Sequence, residues 1–200
     1  MSLVNQVTQW WHTRSTERIA ALPDAELLQR YKQDGQQQCF SVLIARHGDA
    51  LYHFVLTLSD PSTAEDICQL TWLKLIERPQ RYQVQKATFR TWLFTAARNA
   101  LIDELRRHNR WQWQSLDDTG PEQMSAWLAE STDPDQGSLA DLFDQALVAL
   151  PFAQREALML QLEGFSVLDI AAITAEKPET TKSRLRFARQ TLKAQLAVEL

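Results

Sequence analysis

The sequence predicts an all-α protein in which two small helical domains are joined by an acidic linker. Three observations lead to this prediction. Apolar residues recur at intervals of three and four along most of the chain, which is the period of a helix buried on one face. Glycine, which disfavours helix interiors, occurs only 5 times in 200 residues. Residues 111–154 contain no Lys or Arg but eight Asp and Glu, so a negative segment separates two parts that together carry more bases than acids.

Two helices are predicted at the start of the first domain. Asp24 is placed to cap the first of them, whose inward residues are Leu27, Leu28 and Tyr31 and which ends at Gly35. The second helix is longer. Its single apolar stripe consists of Cys39, Phe40, Leu43, Ile44, His47, Leu51, Phe54, Val55 and Leu58.

Two further helices complete the first domain. Ser62 and Glu65 fit a capping box, which predicts the start of the third helix, and Pro79 prevents its continuation. The inward residues of that helix are predicted to be Ile67, Leu70, Leu73 and Ile76. The fourth helix begins near Thr88, and its apolar face consists of Phe89, Trp92, Leu93, Ala96, Ala97, Ala100, Leu101 and Leu105. Its opposite side carries Arg90, Arg98, Asn99, Arg106 and Arg107.

The second domain has the layout of a helix-turn-helix. Ser138 and Asp141 fit a capping box for its first helix, and Pro151 restarts the chain as a first-turn proline of a helix that Gly164 ends. Ser166 and Asp169 fit another capping box, which opens a short helix. The tight polar turn TAEK then leads into a longer last helix, as in helix-turn-helix proteins.

The last helix carries basic residues opposite a buried stripe. The stripe is predicted to be Thr181, Leu185, Ala188, Leu192 and Leu196, and the basic residues are Lys182, Arg186, Arg189 and Lys193. One interpretation is an ordinary solvated helix face. The other is a DNA-reading helix, because the second helix of a helix-turn-helix enters the major groove with its N-terminal turns against the bases. Its position in the motif favours the second interpretation.

The domain limits follow from composition. We assign residues 1–21 to an N-terminal extension, 22–107 to the first domain, 108–137 to the linker and 138–200 to the second domain. The linker is rich in Asp, Ser, Thr, Pro and Gly without a sustained apolar period. Its three tryptophans either dock on a domain or a partner, or belong to a short helix.

Several function classes are excluded by what the sequence lacks. It has no apolar run of about 18 residues and no secretory signal, which predicts a cytoplasmic protein without membrane insertion. Cys39 and Cys68 are interpreted as small buried thiols. No histidine has ligand spacing with Cys or Asp, and there is no Ser-His-Asp arrangement or Gly-rich phosphate loop. We therefore predict no catalytic residue, no metal site and no cofactor.

Both domains resemble the extracytoplasmic-function (ECF) class of bacterial RNA polymerase sigma factors, within the sigma-70 family. The upstream similarity lies in DAELLQRYKQDGQQQCFSVLIARHGDALY, AEDICQLTWLKL and FRTWLFTAARNALIDELRR. The downstream similarity lies in LPFAQREALMLQLEGFSVLDIAAI and ETTKSRLRFAR, in the order the family has them. The resemblance implies a protein without chemistry of its own that binds core RNA polymerase, recognises promoter DNA and assists its melting. It also implies an anti-sigma factor as a partner.

The resemblance assigns roles to particular residues. The helix AEDICQLTWLKL implies docking on the polymerase clamp helices through Asp66, Gln69 and Trp72, although Trp72 could instead belong to the core. The minus-ten element would be opened by a loop at Tyr82 and Gln83 that captures an unstacked base, with Arg98, Asn99, Arg106 and Arg107 beside it. The minus-thirty-five element would be read by Thr180, Lys182, Ser183, Arg184, Arg186 and Arg189.

The resemblance also assigns roles outside these residues. The second domain would bind the polymerase flap as well as DNA, and the acidic linker would occupy the positively charged channels of the enzyme. One departure lies in the turn, where relatives usually carry Gly, an apolar residue and often Pro, and this chain has Ala175, Glu176 and Lys177. Two other function classes remain open. One is a free-standing helix-turn-helix regulator, and the other is a sigma-like protein that binds polymerase or a regulator without promoter recognition.

Overall fold

The structure is a computed structural model that describes residues 18–83, 85–113 and 139–198. Within those ranges every regular element is helical, as the sequence predicts. The first domain contains α1 (Asp24–Asp34), α2 (Gln37–Leu56), α3 (Pro61–Glu77), a short 3-10 turn (Pro79–Arg81) and α4 (Phe89–Trp113). The second contains α5 (Leu139–Val148), α6 (Phe152–Leu162), α7 (Val167–Thr174) and α8 (Pro178–Val198).

The predicted cap at Asp24 is wrong, because Pro23 occupies the cap position and Asp24 lies in the first turn of α1. The Asp24 carboxylate accepts a hydrogen bond from Arg46 Nη1 at 2.6 Å, and its other oxygen lies 2.8 Å from His47 Nε2. Both partners are on α2, so the carboxylate joins two helices instead of closing one. The predicted end of α1 is confirmed: Gly35 has a φ of 65°, in the left-handed region that glycine tolerates.

The predicted capping box at Ser62 and Glu65 is also wrong. Asp60 is the cap of α3, and its Oδ1 accepts the Thr63 backbone N–H at 3.0 Å. Pro61 fits the first turn of the helix because an N–H at that position would have no partner inside the helix. The helix therefore starts before the residues that the local pattern favoured.

The helix starts of the second domain agree better with the sequence. The capping box at Ser166 and Asp169 is confirmed, since the Asp169 N–H donates to Ser166 Oγ at 3.2 Å and the Ser166 N–H donates to Asp169 Oδ2 at 3.1 Å. Pro151 precedes α6 as its cap residue and does not lie in its first turn. The cap predicted at Ser138 lies outside the described residues.

One apolar cluster fills the first domain. Its members include the fully buried Leu27, Leu28, Cys39, Leu43, Leu51, Phe54, Leu75, Leu93, Phe94 and Leu101. Three residues predicted to face inward are exposed: Ile44 by 40%, Leu73 by 48% and Ile76 by 43%. On α3 the buried face consists of Ala64, Ile67, Thr71 and Leu75, so the apolar residues of this helix lie on two sides and the sequence pattern does not say which side is buried.

The second domain has a smaller core of its own. Ala146, Leu147, Leu150, Leu158, Ala188 and Leu192 form it, and the predicted buried stripe of α8 is confirmed at Thr181, Leu185, Ala188 and Leu192. Arg155 is only 1% exposed, and its Nη1 donates to the Val148 carbonyl at 2.9 Å. Burial lowers the pKa of Arg155 to about 10. This hydrogen bond links α6 to the end of α5.

The long helix α4 continues to Trp113, past residue 107 and into the segment predicted as a linker. Trp111 and Trp113 therefore lie in a helix, while Trp127 is outside the described residues. The apolar period of three and four fades after Leu105, and the next three residues of α4, Arg106, Arg107 and His108, are exposed.

We expect Asp60→Ala to lower the free energy of unfolding by about 1 kcal/mol, because the Thr63 N–H loses its acceptor. Chemical denaturation measures the loss. Ser62→Ala is the matched control and should change little, since Ser62 is exposed and does not cap the helix. Equal losses in the two variants would contradict the cap assignment.

The cap should also depend on pH. Burial by itself raises the pKa of Asp60, but the hydrogen bonds that the carboxylate accepts, first from Thr63, bring the pKa below its ordinary value of 3.8. A carboxylate with a lowered folded-state pKa stabilises fully above its unfolded pKa and loses that stabilisation as the pH falls through the folded value. The difference between wild type and Asp60→Ala should therefore be constant near pH 7 and shrink below about pH 4.

Candidate nucleic-acid interface

The turn of the helix-turn-helix keeps a regular geometry although it lacks glycine. Ala175 has a φ of 56° and a ψ of 38°, and within the described residues it is the one position other than glycine with a positive φ. The Glu176 N–H donates to the Ala171 carbonyl at 2.9 Å, and the Ala175 N–H donates to the Ala172 carbonyl at 3.4 Å. These two bonds form a Schellman motif, so alanine occupies the left-handed position where glycine is usual.

The start of α8 presents most of its expected DNA-binding residues to solvent. Lys182, Ser183, Arg186 and Arg189 are exposed, and Thr180 is half-buried. The Arg186 guanidinium lies 5.0 Å from the centre of the Phe187 ring, which is 48% exposed and supports it. A row of cations on an exposed helix face is suited to phosphates and to guanine edges.

Three of the α8 residues already have partners within the chain. Lys182 pairs with Glu179 at 2.8 Å, and both side chains are more than half exposed. Arg189 donates to Gln161 Oε1 at 2.5 Å. Arg184 is half-buried and donates to Glu176 Oε1 at 2.8 Å, which holds the turn residue against the helix. The sequence did not predict this last pair because its two residues lie on opposite sides of the helix start.

The loop at Tyr82 and Gln83 forms one wall of an open cleft of about 730 Å³. Gln83 is exposed, whereas Tyr82 is 5% exposed and packs edge-on against Phe89 and Trp92 at ring distances of 5.7 and 6.0 Å. Burial, and then the charge of Asp24, raise the pKa of Tyr82. The tyrosine thus supports the wall from behind, and Gln83 is the residue free to meet a ligand.

The other wall of the cleft comes from α1. It is lined by Glu26, Gln29, Arg30, Lys32 and Gln33. Lys32 Nζ donates to the Tyr82 carbonyl at 3.2 Å and lies 5.5 Å from the centre of that ring, and burial lowers its pKa. Sequence reasoning missed Lys32 because fifty positions separate it from the loop, and no local pattern connects the two.

The expected DNA-binding residues of α4 fall into two groups. Asn99, Arg106 and Arg107 are exposed on one part of the helix, where Arg107 pairs with Glu104 at 2.9 Å. Arg98 is different, since its Nε donates to Glu156 Oε1 of α6 at 2.7 Å. Glu156 is 1% exposed; burial raises its pKa, and the hydrogen bond from Arg98 opposes that rise.

The expected polymerase-docking residues lie on α3. Asp66 and Gln69 are exposed, while Trp72 is half-buried and stands edge-on to Phe40 at a ring distance of 5.7 Å. Leu73 and Ile76 continue the row of Asp66 and Gln69 at spacings of four and three, so the four residues share one face of the helix. The sequence pattern predicted that Leu73 and Ile76 face the core, so it gave no reason to place them on this exposed face.

Metal-binding groups, membrane-spanning helices and reactive thiols were each considered for the described residues. Within them no group of three or more His, Cys, Asp or Glu residues could hold a metal ion. None of the helices in the described ranges is long and apolar enough to cross a membrane. Cys39 and Cys68 are free thiols, and burial raises the pKa of Cys68 to about 11, which disfavours the reactive thiolate.

Comparison with known proteins identifies two matched regions. Residues 43–111 match the family described as Sigma-70 region 2, and residues 140–192 match Sigma-70, region 4. The ECF RNA polymerase sigma factor SigE of Mycolicibacterium smegmatis is 32% identical over 161 residues, which cover 78% of this chain and 60% of the relative's length. SigL of Mycobacterium tuberculosis is 33% identical over 163 residues, which cover 77% of this chain and 86% of that protein.

A solved structure is similar along most of its length. The sigma factor RpoE in complex with the anti-sigma factor NepR, from Bartonella quintana, has a TM-score of 0.63 and 30% sequence identity. The match covers 80% of this chain and 98% of that one.

We expect Ala175→Gly to stabilise the protein by about 1 kcal/mol, because glycine adopts a positive φ without the strain that a Cβ creates. Thermal unfolding followed by circular dichroism measures the effect. Ala172→Gly, inside the exposed face of α7, is the matched control and should destabilise by about the same amount. A lower melting temperature for Ala175→Gly would contradict the left-handed turn.

Proposed function

The chain belongs to the sigma-70 family of RNA polymerase sigma factors, in its ECF class, and we propose that it binds core RNA polymerase and directs it to a set of promoters. The observation that carries the proposal is the pair of matched regions, which occur in the family's order and each carry an exposed basic helix face. The polymerase supplies the chemistry, and the chain supplies recognition. Its place of action is the cytoplasm, where polymerase and DNA are.

In this proposal the second domain reads the minus-thirty-five element. The α8 face with Lys182, Ser183 and Arg186 enters the major groove, and Thr180 lies at its leading end. Arg186 is the strongest candidate for a base contact, because its guanidinium is exposed and oriented by the ring of Phe187. Arg184 and Arg189 add phosphate contacts when they exchange their present side-chain partners for DNA.

The first domain opens the minus-ten element. The cleft between α1 and the Gln83 loop is large enough for a nucleobase, and amide side chains suit the hydrogen-bonding edge of an unstacked base. Asn99, Arg106 and Arg107 continue from it along α4, where they can follow the DNA backbone. Tyr82 fixes the loop through its buried ring and through Lys32.

The docking surface for polymerase is the outer face of α3. Asp66 and Gln69 provide polar contacts there, and Leu73 and Ile76 add apolar area that the first domain leaves exposed. A face of this composition is typical of the edge of a protein–protein interface. An anti-sigma factor is a further partner in the proposal, supported by the RpoE complex from Bartonella quintana.

The alternative of a free-standing helix-turn-helix regulator gains no support. Such a protein needs only the second domain, and it would leave the match to Sigma-70 region 2 over residues 43–111 without a role. A sigma-like protein that ignores promoters would need no exposed basic face on α8, and this chain has one.

Run-off transcription with purified core polymerase on a genomic fragment library tests the proposal, and new start sites are the expected result.

We expect Arg186→Ala to reduce promoter binding by the polymerase complex about tenfold, because a guanidinium contact to a base or phosphate is lost. Gel-shift titration on a promoter found by the library experiment measures the change. Gln190→Ala, an exposed change one turn further along α8, is the matched control. Equal affinities for the two variants would remove Arg186 from the interface.

We expect Gln83→Ala to impair strand opening more than duplex binding, because the cleft loses the amide that meets the unstacked base. Permanganate reactivity of thymines, measured beside gel-shift affinity on one template, separates the two steps. Tyr82→Phe keeps the buried ring and should leave opening intact. Normal permanganate reactivity in Gln83→Ala would contradict the assignment of the cleft.

A further inference from the structure

One aromatic ring is exposed on the side of α8 that the proposed function turns toward DNA. Phe187 is 48% exposed, whereas the other seven phenylalanines of the chain are buried or half-buried. A phenylalanine ring is usually covered, because its burial removes a large apolar area from water. The exposure of this one ring therefore calls for a molecule that covers it.

Phe187 continues a row of residues that the proposed function assigns to the minus-thirty-five element. Thr180, Ser183 and Phe187 follow one another at spacings of three and four, which puts them on one face of α8. Leu185 and Ala188 belong to the buried side of the helix and are 3% and 0% exposed. Four residues separate Ser183 from Phe187, which is about 6 Å along the helix axis and less than the width of about 12 Å of the major groove. The ring can thus reach the bases when Ser183 does.

The major groove offers one apolar group to such a ring. Base pairs present hydrogen-bond donors and acceptors there, and the C5-methyl group of thymine is the exception. A phenyl ring makes no ordinary hydrogen bond, so phosphates and the polar edges of the bases lose water against it without compensation. The thymine methyl group is therefore the part of the groove that the Phe187 ring fits. Cytosine, which lacks this methyl group, fits it less well.

The contact between Phe187 and Arg186 puts an apolar and a polar side chain next to each other. The Arg186 guanidinium carbon lies 5.0 Å from the centre of the Phe187 ring. The guanidinium covers part of the ring, and the remaining surface is accessible to a ligand. Because arginine suits the O6 and N7 atoms of guanine, the two side chains together suit a guanine and a thymine in the same stretch of the groove.

We propose that Phe187 is a specificity-determining residue of the minus-thirty-five interface, whose ring contacts the C5-methyl group of a thymine beside the bases that Arg186 reads. This inference rests on the proposed function and adds to it the base that the second domain selects through an apolar contact. A ring that only supported Arg186, or that served a protein partner, would leave binding independent of the thymine methyl group. The methyl group is therefore the point at which these roles differ.

The test removes the methyl group from the DNA and the ring from the protein in a double-mutant cycle. Each thymine of the minus-thirty-five element, on either strand, is replaced in turn by deoxyuridine, which pairs with adenine and lacks only the methyl group. Gel-shift titration measures the affinity of core polymerase with the full-length chain for each duplex, on a promoter found by run-off transcription. Leu162→Ala is the matched control for Phe187→Ala, because Leu162 is an apolar residue of the same domain that is 58% exposed and lies on α6.

We expect deoxyuridine at one thymine to weaken binding of the wild-type complex about fourfold, the loss that corresponds to one methyl-sized group leaving an apolar contact. Phe187→Ala should bind the two duplexes equally well, and Leu162→Ala should keep the fourfold ratio. Phe187→Leu keeps an apolar side chain without a ring beside Arg186, so it should keep a ratio of about twofold. Circular dichroism checks that each variant remains folded.

Arg186→Ala separates the contact with the methyl group from support of the guanidinium. This variant should bind both duplexes more weakly and still prefer thymine, because the ring remains. A wild-type ratio of one at every thymine, or a ratio that Phe187→Ala leaves unchanged, would overturn the inference.

Run-off transcription separates failure of this inference from failure of the proposed function. New start sites with wild type support the function whichever base the ring contacts. If wild type directs transcription and no thymine methyl group depends on Phe187, the assignment of the ring is wrong and the function stands. If wild type gives no start sites with core polymerase, the proposed function fails and the inference fails with it.

Discussion

The packing of Phe94 is the interaction on which most of the structure depends. The centre of its ring lies 5.3 Å from that of Phe54 in the first domain and 4.9 Å from that of Phe165 in the second domain. One side chain of α4 therefore packs against both domains. Because of this double contact, the apolar cluster of the first domain extends into α6, α7 and α8. Two basic residues of α4, Arg90 and Arg98, lie close enough to the second domain to pair with Glu163 and Glu156.

Some basic residues in this chain are exposed to solvent, whereas others are largely buried and paired with acidic side chains. Arg186 and Lys182 are exposed on α8, so their charges are available to a polyanion at little desolvation cost. Arg98 and Arg90 are largely covered and hold carboxylates of the second domain. A net charge of −4 therefore says little about affinity for DNA, because some of the acidic side chains that contribute to it are already paired with these arginines inside the fold.

Local signals allowed the sequence to predict the α-helices α1 to α8 of the described residues and the buried face of α8, because periodicity, capping residues and Gly35 act within a few positions. The same signals do not predict the position of a side chain when its partner is distant in the sequence. Asp24 binds Arg46 and His47 instead of capping a helix. Tyr82, which the resemblance assigns to the minus-ten loop, is buried against Phe89 and Trp92, and no local pattern indicates this packing. Neither Lys32 in the cleft nor the contact of Arg90 with Glu163 leaves a pattern in the sequence, because 50 and 73 positions separate the partners.

The shared apolar cluster has a consequence for fragments of this protein. Cutting the chain between α4 and α5 would uncover Phe94 on one piece and Phe165, Ile170 and Ile173 on the other, all of them buried in the intact molecule. Each piece would then expose an apolar surface to water and tend to self-associate. Isolated halves would also carry Arg98 and Glu156 without their partners, so measurements on them would describe different electrostatics from those of the whole polypeptide.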